Sequence, residues 1–268
     1  MTQLATLAAL GQNRRGLGML PPVHAVFQPV VHLGGPLDGA LDGPGGRDVV
    51  GYEALARGPH GTEWEYPAAL FADARRYGVE AALDWECRGV AMSAALRRRL
   101  PASVPLFVNA DPAGLDSACP AHLGTVLEQA ARRLQLVVEF PERALLETPD
   151  VVRRAVEIAR DRGWGVAVDD VGGDSSSLPL LAGVEPDVIK LDLGLLERQP
   201  EALRFAEAVG AHAQATGAVV VAERIETLAD LDRARMLGAT LGQGYLLGRP
   251  GPLPAEPAPP RHEISFTR

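Results

Sequence analysis

The chain of 268 residues is 47% hydrophobic and 22% charged, with a net charge of −8, a balance that supports a sizeable core and excludes a disordered polymer. Its acidic excess argues against a nucleic-acid polymer as partner, since domains that bind one carry a basic footprint. Cys87 and Cys119, the two cysteines, have neither metal-ligand spacing nor disulfide density, and no apolar run approaches the roughly 20 residues that span a bilayer, so the expectation is a cytoplasmic protein without membrane insertion.

Met1 to Leu20 has an Ala/Leu stretch followed by Arg14-Arg15, the reverse of signal-peptide order. It is expected to form a leading helix in an N-terminal extension, 1–24. Two strand-like runs follow, Ala25 to Val31 and Val49 to Leu55, separated by the glycine-rich stretch Gly34 to Gly46. That stretch reads as a long, mobile hairpin loop, and the absence of a helix between the runs suits an antiparallel pair. Helical patterns at Pro67 to Tyr77 and Trp85 to Leu100 come next, and Arg97-Arg98-Arg99 reads as a solvated helix end.

From there strands and helices alternate. The strand-like runs are Leu106 to Asn109, Leu136 to Phe140, Gly165 to Asp169, Val188 to Leu191, Ala218 to Ala222 and Thr240 to Tyr245, and the helices are Val151 to Gly163, Glu201 to Thr216 and Leu228 to Leu237. Eight runs interleaved with helices predict an α/β fold, a TIM-type (β/α)8 barrel over 25–250 with an antiparallel first strand. The six prolines between Pro250 and Pro260 predict an extended, poorly ordered tail over 251–268.

At or near the ends of these runs stand Glu53, Asn109, Glu139, Asp169 with Asp170, Lys190, Glu223 and Gln243. In a parallel barrel these ends share one rim, the one that carries active sites. Acids gathered on one rim repel one another unless cations sit between them. Every candidate ligand is an oxygen donor, which favours hard cations such as Mg2+ or Mn2+. The adjacent pair Asp169-Asp170 suits two ions, the arrangement that clamps the attacking and leaving oxygens in phosphodiester hydrolysis.

Lys190 is the chain's one lysine, every other basic residue counted with it being arginine. A compact ammonium there would stabilise a hydroxide and developing negative charge. Simpler roles are available to each residue alone. Asn109 could be a strand-end cap, Glu223 a surface acid, Gln243-Gly244 a turn, and Lys190 the partner of Asp187 or Asp192 in an ordinary salt bridge.

Glu53-Ala54-Leu55 followed by Arg57 resembles the signature of the EAL family, bacterial phosphodiesterases that open cyclic di-GMP to linear pGpG. The resemblance runs from about Phe27 to Pro250. It includes Phe27-Gln-Pro-Val-Val31, Phe107-Val-Asn109, Val138-Glu-Phe-Pro-Glu142, Val168-Asp-Asp170, Asp187-Val-Ile-Lys-Leu-Asp192, Val221-Ala-Glu-Arg-Ile-Glu-Thr227 and Gly242-Gln-Gly-Tyr245 through Gly248-Arg-Pro250.

The resemblance implies that Glu53, Asn109, Glu139 and Asp169 hold one metal and that Asp170, sharing Asp169, holds a second. It implies that Lys190 and Glu223 position or activate water and that Gln243 completes the site. Arg57 would grip a substrate phosphate, and Gln28 and Leu55 would line the nucleotide. Glu142 and Glu226 would act as supporting acids, Glu142 anchoring the loop after the fifth strand. A homodimer packed near that loop is also implied.

The loop itself departs from the family. The usual Asp-Asp-Phe-Gly-Thr/Ala-Gly-Tyr-Ser-Ser reads Asp169-Asp-Val-Gly-Gly-Asp-Ser-Ser-Ser177 here. Loss of its usual hydroxyl and aromatic anchors predicts greater mobility and weaker second-metal binding. Arg224 replaces the usual glycine after Glu223, and would either pair with Asp174 or crowd the cavity.

Three functions follow from these features. The first is a metal-dependent cyclic di-GMP phosphodiesterase. The second is a catalytically silent receptor for the same nucleotide, or an interaction module acting on a signalling protein partner by direct contact. The third is a Schiff-base enzyme built on Lys190, which the surrounding acids disfavour by keeping the ammonium charged.

Overall fold

Continuous apolar runs in the middle of the chain are what a parallel strand buried on both faces requires. In the computed structural model, which describes residues 18, 20–34, 48–115, 117–172, 174–197 and 201–264, those runs pair in sequence order. They are β1 (His24–His32), β2 (Val49–Arg57), β3 (Leu106–Asn109), β4 (Leu136–Pro141), β5 (Gly165–Val171), β6 (Val188–Asp192), β7 (Val219–Glu223) and β8 (Leu241–Gly242). Together they close a barrel. β1 runs antiparallel to both β2 and β8, whereas every other neighbouring pair is parallel. The expected antiparallel first strand is therefore present. The leading helix and the glycine-rich hairpin loop, apart from their edges, lie outside the described residues.

The helices are α1 (Pro67–Tyr77), α2 (Glu80–Arg97), α3 (Pro112–Leu115), α4 (Gly124–Arg133), α5 (Glu142–Glu147), α6 (Pro149–Asp161), α7 (Leu178–Val184), α8 (Leu193–Leu196), α9 (Ala202–Thr216) and α10 (Leu228–Met236). Local chemistry sets several of their ends. Proline in the first turn opens α1 and α6, and Gly78 closes α1 in the left-handed region with φ 66°, a conformation glycine adopts without steric cost. A reciprocal capping box of Thr227 and Asp230 starts α10, satisfying backbone donors that the helix cannot. Arg97, Arg98 and Arg99 end α2 exposed, as the sequence predicts.

Two apolar layers result from the strand alternation. One face of the strands packs outward on the helices, with Leu106, Leu136, Phe140, Ile189 and Leu191 against Met92, Leu145, Leu181 and Val209. The other fills the barrel with Val30, Val50, Phe107, Val137, Ala167, Val188, Val221 and Leu241. Gly51 makes room in this interior, because a Cβ there would meet the Phe107 ring at 2.9 Å. Removing the Phe107 ring would cost about 3–5 kcal/mol by the usual transfer and cavity terms.

Among the described residues beyond Pro250, 251–264, there is no helix or strand apart from one bridge between Gly251 and Phe27, in keeping with the prolines. Residues 251–264 nevertheless make definite contacts. Leu253 joins the outer layer, and Ile264 joins the barrel interior. The tail thus runs from β1 to the floor of the barrel, where it closes the end opposite the strands' carboxyl termini. Residues 265–268 lie outside the described ones.

Candidate active site at the carboxyl ends of the strands

The parallel register places side chains of successive strands at one level. Asn109 pairs with Glu139, Pro141 with Asp169, and Asp192 with Glu223. Inward-facing positions at this level are polar, and they surround the ammonium of Lys190. Its Nζ lies 3.1 Å from Glu53 Oε2, 2.9 Å from Glu139 Oε1, 3.0 Å from Asp169 Oδ1 and 2.9 Å from Glu223 Oε1. Lys190 is 1% exposed and Glu139 is fully buried.

Four carboxylates around one cation leave a net negative centre. Burial favours the neutral form of Lys190, but Asp169, Glu139, Glu223 and Glu53 outweigh it and hold its pKa well above the ordinary range. The four acids thus hold the lysine as an ammonium, which disfavours the Schiff-base reading. Burial raises Glu139 and Glu223 well above the usual carboxylate range, Lys190 offsetting only part of the effect. Asp170 is pushed up to about 6 by burial and by Asp169.

Amides complete the ring. Asn109 Nδ2 donates to Glu53 Oε1 at 3.0 Å, and Gln243 Nε2 donates to Glu53 Oε2 at 2.6 Å and to Gln28 Oε1 at 3.2 Å. Gln28 in turn donates to the Gly248 carbonyl at 3.0 Å. These bonds aim the remaining oxygens inward. Among the described residues Glu139 Oε2 and Gln243 Oε1 are buried with no hydrogen-bond partner, and Glu139 Oε1 and Asp169 Oδ1 have only the Lys190 ammonium beside them. Buried acceptors of this kind are costly unless a cation takes them up.

Among the described residues two groups of carboxylates have donor atoms within 4.8 Å of one another: Glu53, Glu139 and Asp169, and then Asp169, Asp170 and Glu223. Asp169 belongs to both. In a regular strand neighbouring side chains point to opposite faces, so two consecutive acids would not share a cavity. Here β5 shifts register between Val168 and Val171, and Asp170 adopts φ 56°. This uncommon left-handed backbone turns both carboxylates toward the same space. All donors are oxygens, so the set fits hard divalent cations rather than zinc or copper.

The cavity above the ring has two lobes. One, of about 460 Å3, is lined by Gln28, Glu53, Leu55, Asp170, Arg224 and Tyr245 among others. The second, of about 540 Å3, shares Glu53, Leu55, Asp169 and Asp170 and extends over Phe71, Arg75, Asp111 and Arg143. Arg57 stands apart from the carboxylates, its Cζ 5.3 Å from the Tyr66 ring centre, and lines an adjoining groove of about 310 Å3 that shares Tyr245 with the first lobe. Glu226 is exposed at the rim of the first lobe.

Glu142 is buried and accepts from Ser177 Oγ at 2.6 Å, Asp174 N at 3.2 Å and Gly172 N at 3.4 Å. It ties the divergent loop to the start of α5, and Ser177 supplies a hydroxyl anchor of the kind the loop's altered residues suggested was lost. Among the described residues Arg224 pairs neither with Asp174 nor with the acids around Lys190. Its Nε lies 2.7 Å from Asp192 Oδ2, because β6 and β7 set Asp192 beside Glu223. Asp187 pairs with Arg160 and accepts from Val166 N at 2.7 Å, so neither acid flanking the lysine in sequence is its partner. Sequence reasoning did not mark Arg75, Asp111, Arg143 or Tyr245 as cavity residues. A charged or aromatic residue just after a strand end was the available signal for Asp111, Arg143 and Tyr245.

A family model for the EAL domain matches residues 23–250. Among curated relatives, an uncharacterised protein y4lL of Sinorhizobium fredii is 33% identical over 78% of this chain and 26% of its own length. The cyclic di-GMP phosphodiesterase RocR of Pseudomonas aeruginosa is 30% identical over 93% of this chain and 62% of its own. The chain therefore spans less than two thirds of these relatives. Klebsiella pneumoniae BlrP1, solved with calcium and cyclic di-GMP, superposes with a TM-score of 0.70 at 27% identity, covering 86% of this chain and 56% of that one.

Proposed function

The chain belongs to the EAL domain family, and from that membership and the geometry of its rim we propose that it is a metal-dependent phosphodiesterase that hydrolyses cyclic di-GMP to linear pGpG. The observation that carries the reading is the ring itself. Four carboxylates converge on a buried ammonium and still leave buried oxygens unsatisfied, an arrangement that costs stability and makes sense as a cation site.

Glu53, Asn109, Glu139 and Asp169 would hold one Mg2+ or Mn2+, and Asp169 and Asp170 a second, with Glu223 alongside. When bound, the ions supply Lewis-acid activation of water and neutralise phosphate charge. Lys190, fixed by its carboxylates, holds positive charge where negative charge develops at the reacting oxygen. Glu223, beside Lys190 and the Asp169-Asp170 pair, is placed to orient the water and take its proton. The water oxygen bonds to phosphorus, the P–O3′ bond breaks, and the freed 3′ oxygen takes up a proton to give pGpG.

Gln243 and Asn109 hold Glu53 in its rotamer, and Gln28, Leu55 and Arg57 line the path of the nucleotide. Arg57, with its planar fork, suits a non-reacting phosphate. Glu142 and Glu226 support the rim from outside. In the same reading the protein acts in the cytoplasm as a homodimer packed near residues 171–177, which sedimentation of the full chain checks.

Glu53→Ala tests the assignment. It deletes a carboxylate on the rim and leaves the apolar layers intact, so pGpG formation should be lost while the far-UV circular dichroism is kept. Wild-type turnover in this variant would remove Glu53 from the metal set. Binding of cyclic di-GMP without turnover in the wild type would instead make the protein a receptor, with the divergent loop as the reason.

A further inference from the structure

The floor of the barrel, opposite the carboxylate ring, carries a second group of ligand-type side chains. His32 ends β1, Asp48 immediately precedes β2, and His262 comes from the tail. The two imidazoles stack with centroids 4.0 Å apart and planes 5° from parallel. Asp48 Oδ2 lies 2.5 Å from His262 Nδ1, and one donor atom from each of the three residues lies within 4.8 Å of the others.

The carboxylate is fixed independently of the rings. Asp48 Oδ1 accepts from Arg261 N at 2.7 Å, and Oδ2 accepts from His262 N at 3.0 Å. Burial pushes Asp48 up, but these backbone bonds and the His262 ring outweigh it and hold the group below its ordinary value, as a carboxylate. Two residues further on, Ile264 enters the barrel interior. The backbone around Asp48 is thus set by the same contacts that bring the tail to the floor.

We propose that His32, Asp48 and His262 form a Zn2+ site that clasps the tail to the start of β2 and the end of β1. Two imidazoles and one carboxylate are the donors zinc takes, in contrast to the all-oxygen ring at the other end of the barrel. Donors about 2.0–2.2 Å from a tetrahedral zinc lie about 3.3 Å apart, so the cluster must draw in by about 1.5 Å at most. His32 is half-buried and His262 exposed, so the rings can rotate out of their stack to bring their lone pairs to a common point, the ion displacing the bond that His32 Nδ1 accepts from Gly34 N at 3.2 Å. The ion would take the place of the hydrogen bond between His262 Nδ1 and Asp48 Oδ2, the neutral imidazole carrying its proton on Nε2 instead. The site stands apart from the catalytic reading and does not depend on it.

The test is equilibrium dialysis of the full chain against Zn2+ in excess Mg2+, followed by metal analysis and by hydrogen exchange of the tail. Wild-type protein should retain one Zn2+ per chain more than His262→Ala or His32→Gln, with affinity at least about tenfold higher. Zinc should also slow amide exchange at Arg261 and His262 in the wild type alone. Glu53→Ala should keep the site. Equal zinc content in wild type and both histidine variants would overturn the proposal, as would zinc that is lost with Glu53→Ala and retained in the histidine variants.

Discussion

In the proposed reaction the chemistry of the rim turns on a single residue, Lys190. An arginine in its place keeps the charge, but its planar head is larger and its donors point in fixed directions, whereas the four carboxylate contacts of 2.9–3.1 Å enclose a compact ammonium. Lys190→Arg should lower turnover by at least about 100-fold, the size expected for loss of a preorganised group at a developing charge. Full turnover in that variant would remove the ammonium from the mechanism. Asp170 gives a second test at this scale. Its pKa is raised from 3.8 to about 6 by burial and by Asp169, so the folded chain keeps a proton that the unfolded chain loses first. Stability in the presence of a chelator should therefore fall as pH rises from about 4 to about 6. Asp170→Asn should flatten that fall, measured as Tm at about pH 4.5 and about pH 7, and an identical slope in both proteins would contradict the shifted titration.

Among elements, the loop from Gly172 to Ser177 depends on Glu142. Each hydrogen bond to a buried acceptor contributes about 0.5–1.5 kcal/mol, and among the described residues Gly172, Asp174 and Ser177 all donate to Glu142. Glu142→Ala should raise amide exchange at Gly172 and Asp174 by about 10–100-fold and lower turnover, with Glu142→Gln intermediate because it keeps an acceptor. Unchanged exchange would mean that the loop is held elsewhere. The strands were legible in the sequence because buried parallel strands are continuous apolar runs, and their polar ends revealed the ring. Helices α5 and α7 were not, since six and seven residues are too few to display a helical period. Helix α4 does carry one, in Leu123, Val126, Leu127, Ala130 and Leu134, and counting it would have found the element. The partner of Arg224 was hidden for a different reason: Asp192 is brought to it by strand register, which sequence spacing does not show.

The whole molecule has two differently built ends. At one, acids are gathered at a cost to stability and turned toward a cavity; at the other, the tail closes the barrel with Ile264, which is 7% exposed. Ile264→Ala should destabilise the fold by about 2 kcal/mol, at the low end for a buried isoleucine because the site is at the margin of the interior. Urea unfolding measures it, and a midpoint equal to wild type would mean that the tail does not contribute to the core. The central claim is that the opposite end is a working phosphodiesterase site. It is tested most directly by incubating the purified chain with cyclic di-GMP and Mg2+ or Mn2+, following bound and linearised nucleotide in the same sample with and without a chelator. Formation of pGpG that disappears on chelation is the expected result; tight binding of nucleotide with no pGpG under either metal would overturn the assignment.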